Sequence, residues 1–187
     1  MVNYVITPRT DLPLTLAGVK DYIQQPEVTE DPLITQLIAA ATDYSEEYMA
    51  RTLMVTTFEQ RFSCWPLCNK VQIKKNPVLS IASVKYIDAD GDTQTIDPAN
   101  YAVWRENGDI TVISFNDGYT VPTTDVIPEA WLIRYTAGYN PPDTIPGPIK
   151  SSMLMRIKRW YDNRDDGPGD KWHSIADQIL QPYKIYL

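Results

Sequence analysis

The sequence predicts an α+β protein: a helical bundle, made of an N-terminal helical hairpin plus C-terminal helices, with an inserted antiparallel β-subdomain. Three observations carry this. Residues 31–51 place apolar side chains at three- and four-residue steps. Residues 53–139 break into short runs rich in Val, Ile, Thr, Tyr, Phe and Trp, separated by turn residues. A second helical stripe starts near Pro146. The implied division is 1–52 and 140–187 for the helical body with its C-terminal tail, and 53–139 for the insert, because exposed helix–helix connections tolerate insertion.

In chain order, the first 53 residues read as helical. Thr15 caps a short helix over 15–25 whose stripe is Leu16, Val19, Tyr22 and Ile23, and Pro26 ends it. Asp31 and Pro32 then supply a cap and a first-turn proline. Leu33, Ile34, Leu37, Ile38, Ala41, Tyr44 and Tyr48 follow on one face of a helix of about 20 residues, roughly 30 Å long. Strand-like runs lie near 54–62, 70–74, 80–87, 93–97, 101–105, 110–115 and 130–136. Asn107-Gly108 and the Asp88–Asp92 segment are hairpin turns between them. A small sandwich or an open barrel accommodates such strands. Tyr139 to Pro148 is a proline-stiffened link. The helix after it, to residue 164, turns Ile149, Met153, Ile157, Trp160 and Tyr161 to one face, with Lys150, Arg156, Lys158, Arg159 and Arg164 around the rest. Asp166-Gly167-Pro168-Gly169 breaks it. A last short helix runs from Trp172 to Leu180, Pro182 stops it, and Tyr183–Leu187 is extended.

A chain of 187 residues buries a sizeable core without a disulfide or structural metal. The net charge of −7 argues against a broad phosphate-binding surface, which needs clustered Lys and Arg. That charge is −9 over residues 1–149 and +2 over 150–187. The basic face of the 149–164 helix is therefore a candidate phosphate stripe, weighed against a solvated face interleaved with Asp162, Asp165 and Asp166. The N-terminus lacks the basic and apolar regions of a signal peptide, and no run approaches the ~18 apolar residues of a membrane span.

Catalytic and metal chemistry find little footing. Cys64 and Cys68 read as two reduced thiols in a loop, with a local disulfide as the alternative; four zinc ligands are not to be found. Asp88-x-Asp90-Gly91-Asp92 departs from a calcium loop, with glycine at position 4 and Ala99 at position 12. His173, the one histidine, has Cys64, Ser174 and Asp177 in the chain but no spacing that joins them into a catalytic group. Nucleotide-binding and nucleophile-elbow motifs are absent. No cofactor is expected. A carboxylate-dependent hydrolase and a standalone monomeric binding module stand as alternatives to an assembly role. Ile185, Tyr186 and Leu187 form an apolar end that is costly to leave in water and suits docking on a neighbour.

The order of motifs then carries a resemblance. Leu14-Thr15-Leu16-Ala17-Gly18-Val19-Lys20 is followed by Asp31-Pro32-Leu33-Ile34 and by Ile38-Ala39-Ala40-Ala41-Thr42-Asp43-Tyr44. Later come Ile133-Arg134-Tyr135-Thr136-Ala137-Gly138-Tyr139 and Ile145-Pro146-Gly147-Pro148-Ile149-Lys150. Trp160-Tyr161-Asp162-Asn163-Arg164 and Leu180-Gln181-Pro182-Tyr183-Lys184 close the succession. Over residues 14–185 this resembles the head–tail connector, or portal adaptor, proteins of tailed bacteriophages and gene transfer agents. The resemblance implies a non-enzymatic virion protein at the head–tail junction, assembled from the host cytoplasm. It implies a homo-oligomeric ring, usually of twelve subunits, under the portal protein, with a tail or stopper protein below and DNA passing through the lumen, and no membrane. By it, Pro182, Tyr183, Lys184, Ile185, Tyr186 and Leu187 form the portal-docking tail. Ile149, Met153, Ile157, Trp160, Tyr161 and Arg164 belong to the ring-body helix. The Asp165–Asp170 Gly-Pro linker is a departure with no matching family role.

Overall fold

The computed structural model describes residues 1–106, 110–124, 127–163 and 175–186. The fold is α+β. Its contacts cluster into two compact units, Met1–Arg9 with Val55–Gly138, and Thr10–Met54 with Tyr139–Tyr186.

The first residues correct the helical reading of the N-terminus. Val2–Thr7 (β1) is a strand, paired antiparallel with Thr56–Phe62 (β2) from Val2 opposite Arg61 to Thr7 opposite Thr57. Val2, Val5, Ile6 and Thr7 are β-branched and Tyr4 is aromatic, the residue types that favour a pleated strand. The partner lies some fifty residues downstream, beyond the reach of a local pattern.

The first unit continues with Val71–Gln72 (β3), Val78–Ile87 (β4), Thr93–Ile96 (β5), Tyr101–Glu106 (β6), Ile110–Phe115 (β7) and Trp131–Ala137 (β8). These form two antiparallel sheets, ordered β1-β2-β8-β4-β5 and β3-β7-β6. Both sheets feed one core: Phe58 and Phe62 of β2, Val84 of β4, and Trp131, Ile133 and Tyr135 of β8 meet Val71 of β3 and Ile113 and Phe115 of β7. Of the two architectures the strands allow, this is the sandwich. Strand β8 shows why: Trp131, Ile133, Tyr135 and Ala137 are buried, while Leu132, Arg134 and Thr136 between them are not. Trp65, from the loop after β2, closes the core at 4.4 Å from the Phe115 ring and 5.0 Å from Trp131. Its indole N–H donates to Asn69 Oδ1 at 3.1 Å, so the buried ring keeps a polar partner.

The Asp88–Asp92 segment is the turn joining β4 to β5. The Asp88 carboxylate accepts from the Gln94 amide at 2.8 Å and from the backbone N–H groups of Asp92 and Asp90 at 2.9 and 3.1 Å. Gly91 takes φ +85°, which glycine adopts without strain. Strands β6 and β7 pair up to Glu106 opposite Ile110; Asn107 and Gly108 lie outside the described residues.

The second unit holds Leu16–Ile23 (α1), Asp31–Met49 (α2), Gly147–Asp162 (α3) and Ile175–Leu180 (α4). Thr15 caps α1, its hydroxyl accepting from Gly18 N at 3.2 Å. Asp31 is not a cap. A 3-10 turn over Val28–Glu30 precedes it, and Asp31 is the first residue of α2, where a carboxylate favours the helix dipole and meets Lys20 Nζ at 2.5 Å. Val19 and Ile23 of α1, Ile34, Ile38, Ala41 and Met49 of α2, Ile149, Met153 and Ile157 of α3, and Leu180 of α4 share one core. Trp160 and Tyr161 pack at its margin, partly buried. No described helix is long and apolar enough to cross a membrane.

Candidate functional site

The candidate site is the C-terminal segment and the helices that hold it. After α4 the chain makes a 3-10 turn, Gln181–Tyr183, and runs extended from Lys184. The expectation that Ile185 is part of a free apolar end is corrected. Its side chain is buried and its N–H donates to Met49 O, the last residue of α2, at 2.9 Å. Arg51, itself buried, donates from Nε to Tyr183 O. Lys184 Nζ lies 5.0 Å from the Tyr48 ring centroid and 5.6 Å from that of Tyr186. Tyr186 is the exposed member, at 72%. Leu187 lies outside the described residues, as do Arg164, His173 and the Asp165–Asp170 linker.

Upstream of the tail, α4 is tied to α3 and α2 by a cluster that sequence reasoning did not find. Arg156 Nη2 meets Asp177 Oδ1 at 2.5 Å, with side chains only 10% and 5% exposed. Tyr44 of α2 donates its hydroxyl to the same carboxylate oxygen at 3.1 Å, and the Arg156 guanidinium stacks 3.6 Å over the Tyr44 ring. Trp160 approaches Tyr44 edge-on at 6.5 Å. Burial pushes the Tyr44 phenol up, with the Arg156 charge opposing. Ser152 Oγ adds a hydrogen bond to Ala176 O at 2.9 Å. Ser152, Arg156 and Trp160 fall at four-residue steps on α3, beside the apolar stripe. That spacing was the available signal for a polar seam.

The basic stripe on α3 is largely matched in charge. Arg156 turns inward to Asp177, Lys158 Nζ meets Asp162 at 3.1 Å, and Lys150 Nζ lies 3.6 Å from Asp143. A phosphate-gripping surface needs cations without such neighbours, so the solvated-face reading fits Lys150 and Lys158.

The sandwich carries one buried carboxylate. Glu59 of β2 accepts from Arg134 of β8 at 2.6 and 3.0 Å and from Arg61 Nε at 2.8 Å. Burial raises its pKa, but the hydrogen bonds from Arg134 and Arg61 more than offset this and hold it below the usual carboxylate range. Arg61 also meets Glu129 at 3.1 Å, whose other oxygen accepts from the Tyr4 hydroxyl at 2.7 Å. A carboxylate held ionised between two arginines has no proton to donate near neutral pH, which removes this residue as a general acid. Cys64 and Cys68 are free, exposed thiols. Among the described residues no group of His, Cys, Asp and Glu is placed to hold a metal ion.

Neither a protein-family model nor a curated protein sequence matches the chain. Solved structures do. A chain in the neck of the empty gene transfer agent (GTA) particle, computed with C6 symmetry, is similar at a TM-score of 0.81 and 16% identity, covering 100% of this chain and 97% of that one. The fold is that of a GTA neck chain. The virion of the native GTA particle and its neck computed with C12 symmetry contain chains similar at TM-scores of 0.79 and 0.73, with the same identity and coverage. The resemblance read from the ordered motifs is met at the level of the fold.

Proposed function

We propose that the chain is a structural virion protein of a tailed-phage-like particle, a head–tail connector subunit that forms a ring under the portal. The observation that supports this reading is the full-length likeness, helical and β units together, to chains of GTA necks whose reconstructions used C6 and C12 symmetry. The helical unit is the ring body, with Ile149, Met153 and Ile157 of α3 as its interior and Trp160 and Tyr161 at its margin. The segment Pro182–Leu187 meets the portal protein, with Tyr186 as its exposed anchor. A tail or stopper protein binds the opposite side, and twelve copies enclose a lumen for DNA. The net charge of −7 suits that lumen, since DNA held by counterion-releasing contacts would not slide.

Removing the chain from particle production tests the reading. DNA-filled heads lacking tails are expected, with tailed particles restored by the wild-type chain and much reduced by Tyr186→Ala. Tailed, DNA-delivering particles made without the chain would overturn it.

A further inference from the structure

We propose that the five-stranded sheet joins one copy of the chain to the next: the β1 edge of one copy pairs, in parallel, with the β5 edge of its neighbour. This seats the neighbour's Asp88–Asp92 turn against the lysines beside Met1. The proposal rests on the ring reading above.

Edge strands present unpaired backbone groups, and proteins usually blunt them with charge, proline or brevity. β1 has no such guard. It stands at the end of the sheet order, carries no charge or proline from Val2 to Thr7, and exposes Val2, Tyr4, Val5 and Ile6 by 40–56%. β5, at the other end, is short and polar, and Asp92 and Asp97 flank it. One sheet thus ends in two unlike edges.

Direction and charge select how they meet. Each neighbouring pair in the sheet is antiparallel, so the first, third and fifth strands, β1, β8 and β5, run the same way. A rotation about a ring axis places β5 of one copy beside β1 of the next in that common direction. The N-terminal end of β5 carries the acidic turn, with Asp90 and Asp92 exposed. The N-terminal end of β1 borders an open cavity of about 670 Å³ lined by Met1, Cys68, Lys70, Gln72, Lys74 and Glu106. Lys74 Nζ fixes Met1 there, donating to its carbonyl at 2.8 Å, and Lys70 Nζ lies 3.6 Å from Glu106. Parallel pairing therefore brings the Asp90 and Asp92 carboxylates to Lys74 and to the Lys70–Glu106 pair, where they compete with Glu106 for Lys70. A two-fold β1–β1 contact would instead set the lysine end of each copy beside Thr7-Pro8-Arg9 of the other, a segment whose charged residue is a cation. Two different, complementary patches on one subunit are what a closed ring requires.

The test uses the full chain at several hundred micromolar, with sedimentation velocity and amide hydrogen exchange. Association beyond a dimer is expected, with exchange slowed in residues 2–7 and 88–96. Lys70→Glu with Lys74→Glu, and separately Asp90→Lys with Asp92→Lys, are expected to weaken association at least about tenfold, since like charges then face each other. Mixing these two variants restores it, because each reversed surface meets its complement. Val5→Lys, which guards the edge, weakens association without changing the monomer's circular dichroism; Lys70→Gln with Lys74→Gln serves if the reversal unfolds the chain. No association at the highest concentration, a dimer that grows no further, or a mixture that fails to restore association would overturn the proposal. Association through these edges by a chain absent from particle necks would sink the ring reading alone. A neck chain indifferent to the charge reversals would sink the edge pairing alone.

Discussion

The two units handle buried charge in opposite ways. In the helical unit Arg156 and Asp177 are both enclosed, 10% and 5% exposed, and they fasten α4 and the tail that follows. In the sandwich Glu59 is equally enclosed at 5%, but its partners Arg61 and Arg134 reach the surface at 34% and 45%. Solvent compensates the second arrangement when a member is lost. The first is compensated far less, because an orphaned ion stays in a low-dielectric interior. The same chemistry is thus a tether in one unit and a surface brace in the other.

The largest expected effect is therefore in the helical unit. Asp177→Ala leaves Arg156 buried and unpaired, at a cost of about 3–5 kcal/mol read from chemical denaturation. The double change Arg156→Met with Asp177→Leu recovers most of that loss, since a packed apolar pair removes the ion altogether. A double variant as unstable as the single one would show that the pair itself, rather than the orphaned charge, sets the cost.

The sandwich responds to base. Burial raises the Tyr135 phenol to about 12, against 10.0 in the unfolded chain. The native state keeps its proton longer, so this stability is complete below pH 10 and is lost as pH rises from 10 to 12. It amounts to about 2–3 kcal/mol. Tyr135→Phe flattens that decline, and equal slopes for both proteins would refute the assignment.

Glu59→Gln gives a smaller effect, about 1–2 kcal/mol, because one brace is replaced by weaker hydrogen bonds. Its folded pKa lies below the usual carboxylate range, so its contribution is present above that range and lost as pH falls below it. The variant should melt with a shallower acid dependence than wild type. Tyr186→Ala comes last, within about 0.5 kcal/mol, since the ring is exposed.

Much of this architecture was legible in the residues. The alternation in Trp131–Ala137 marks its buried face, and the stripe from Leu33 to Tyr48 marks part of one, since the buried face of α2 also takes in Thr42, Ser45 and Met49. Strand β1 was marked only by its β-branched and aromatic residues, and its partner left no local mark, since pairing spans some fifty residues. The Arg156–Asp177–Tyr44 cluster was hidden for a related reason: its members come from three helices, and arginine on a helix surface ordinarily reads as solvated. The seating of Ile185 on Met49 was invisible as well, because an apolar tail looks the same whether it docks on its own chain or on another.

The connector account is tested most directly by cryo-EM of purified particles that carry this chain. Density fitting both of its units, repeated as a ring between portal and tail with the Tyr186 end toward the portal, is the expected result. A neck fully accounted for by other proteins, with this chain absent from the particle, would contradict it.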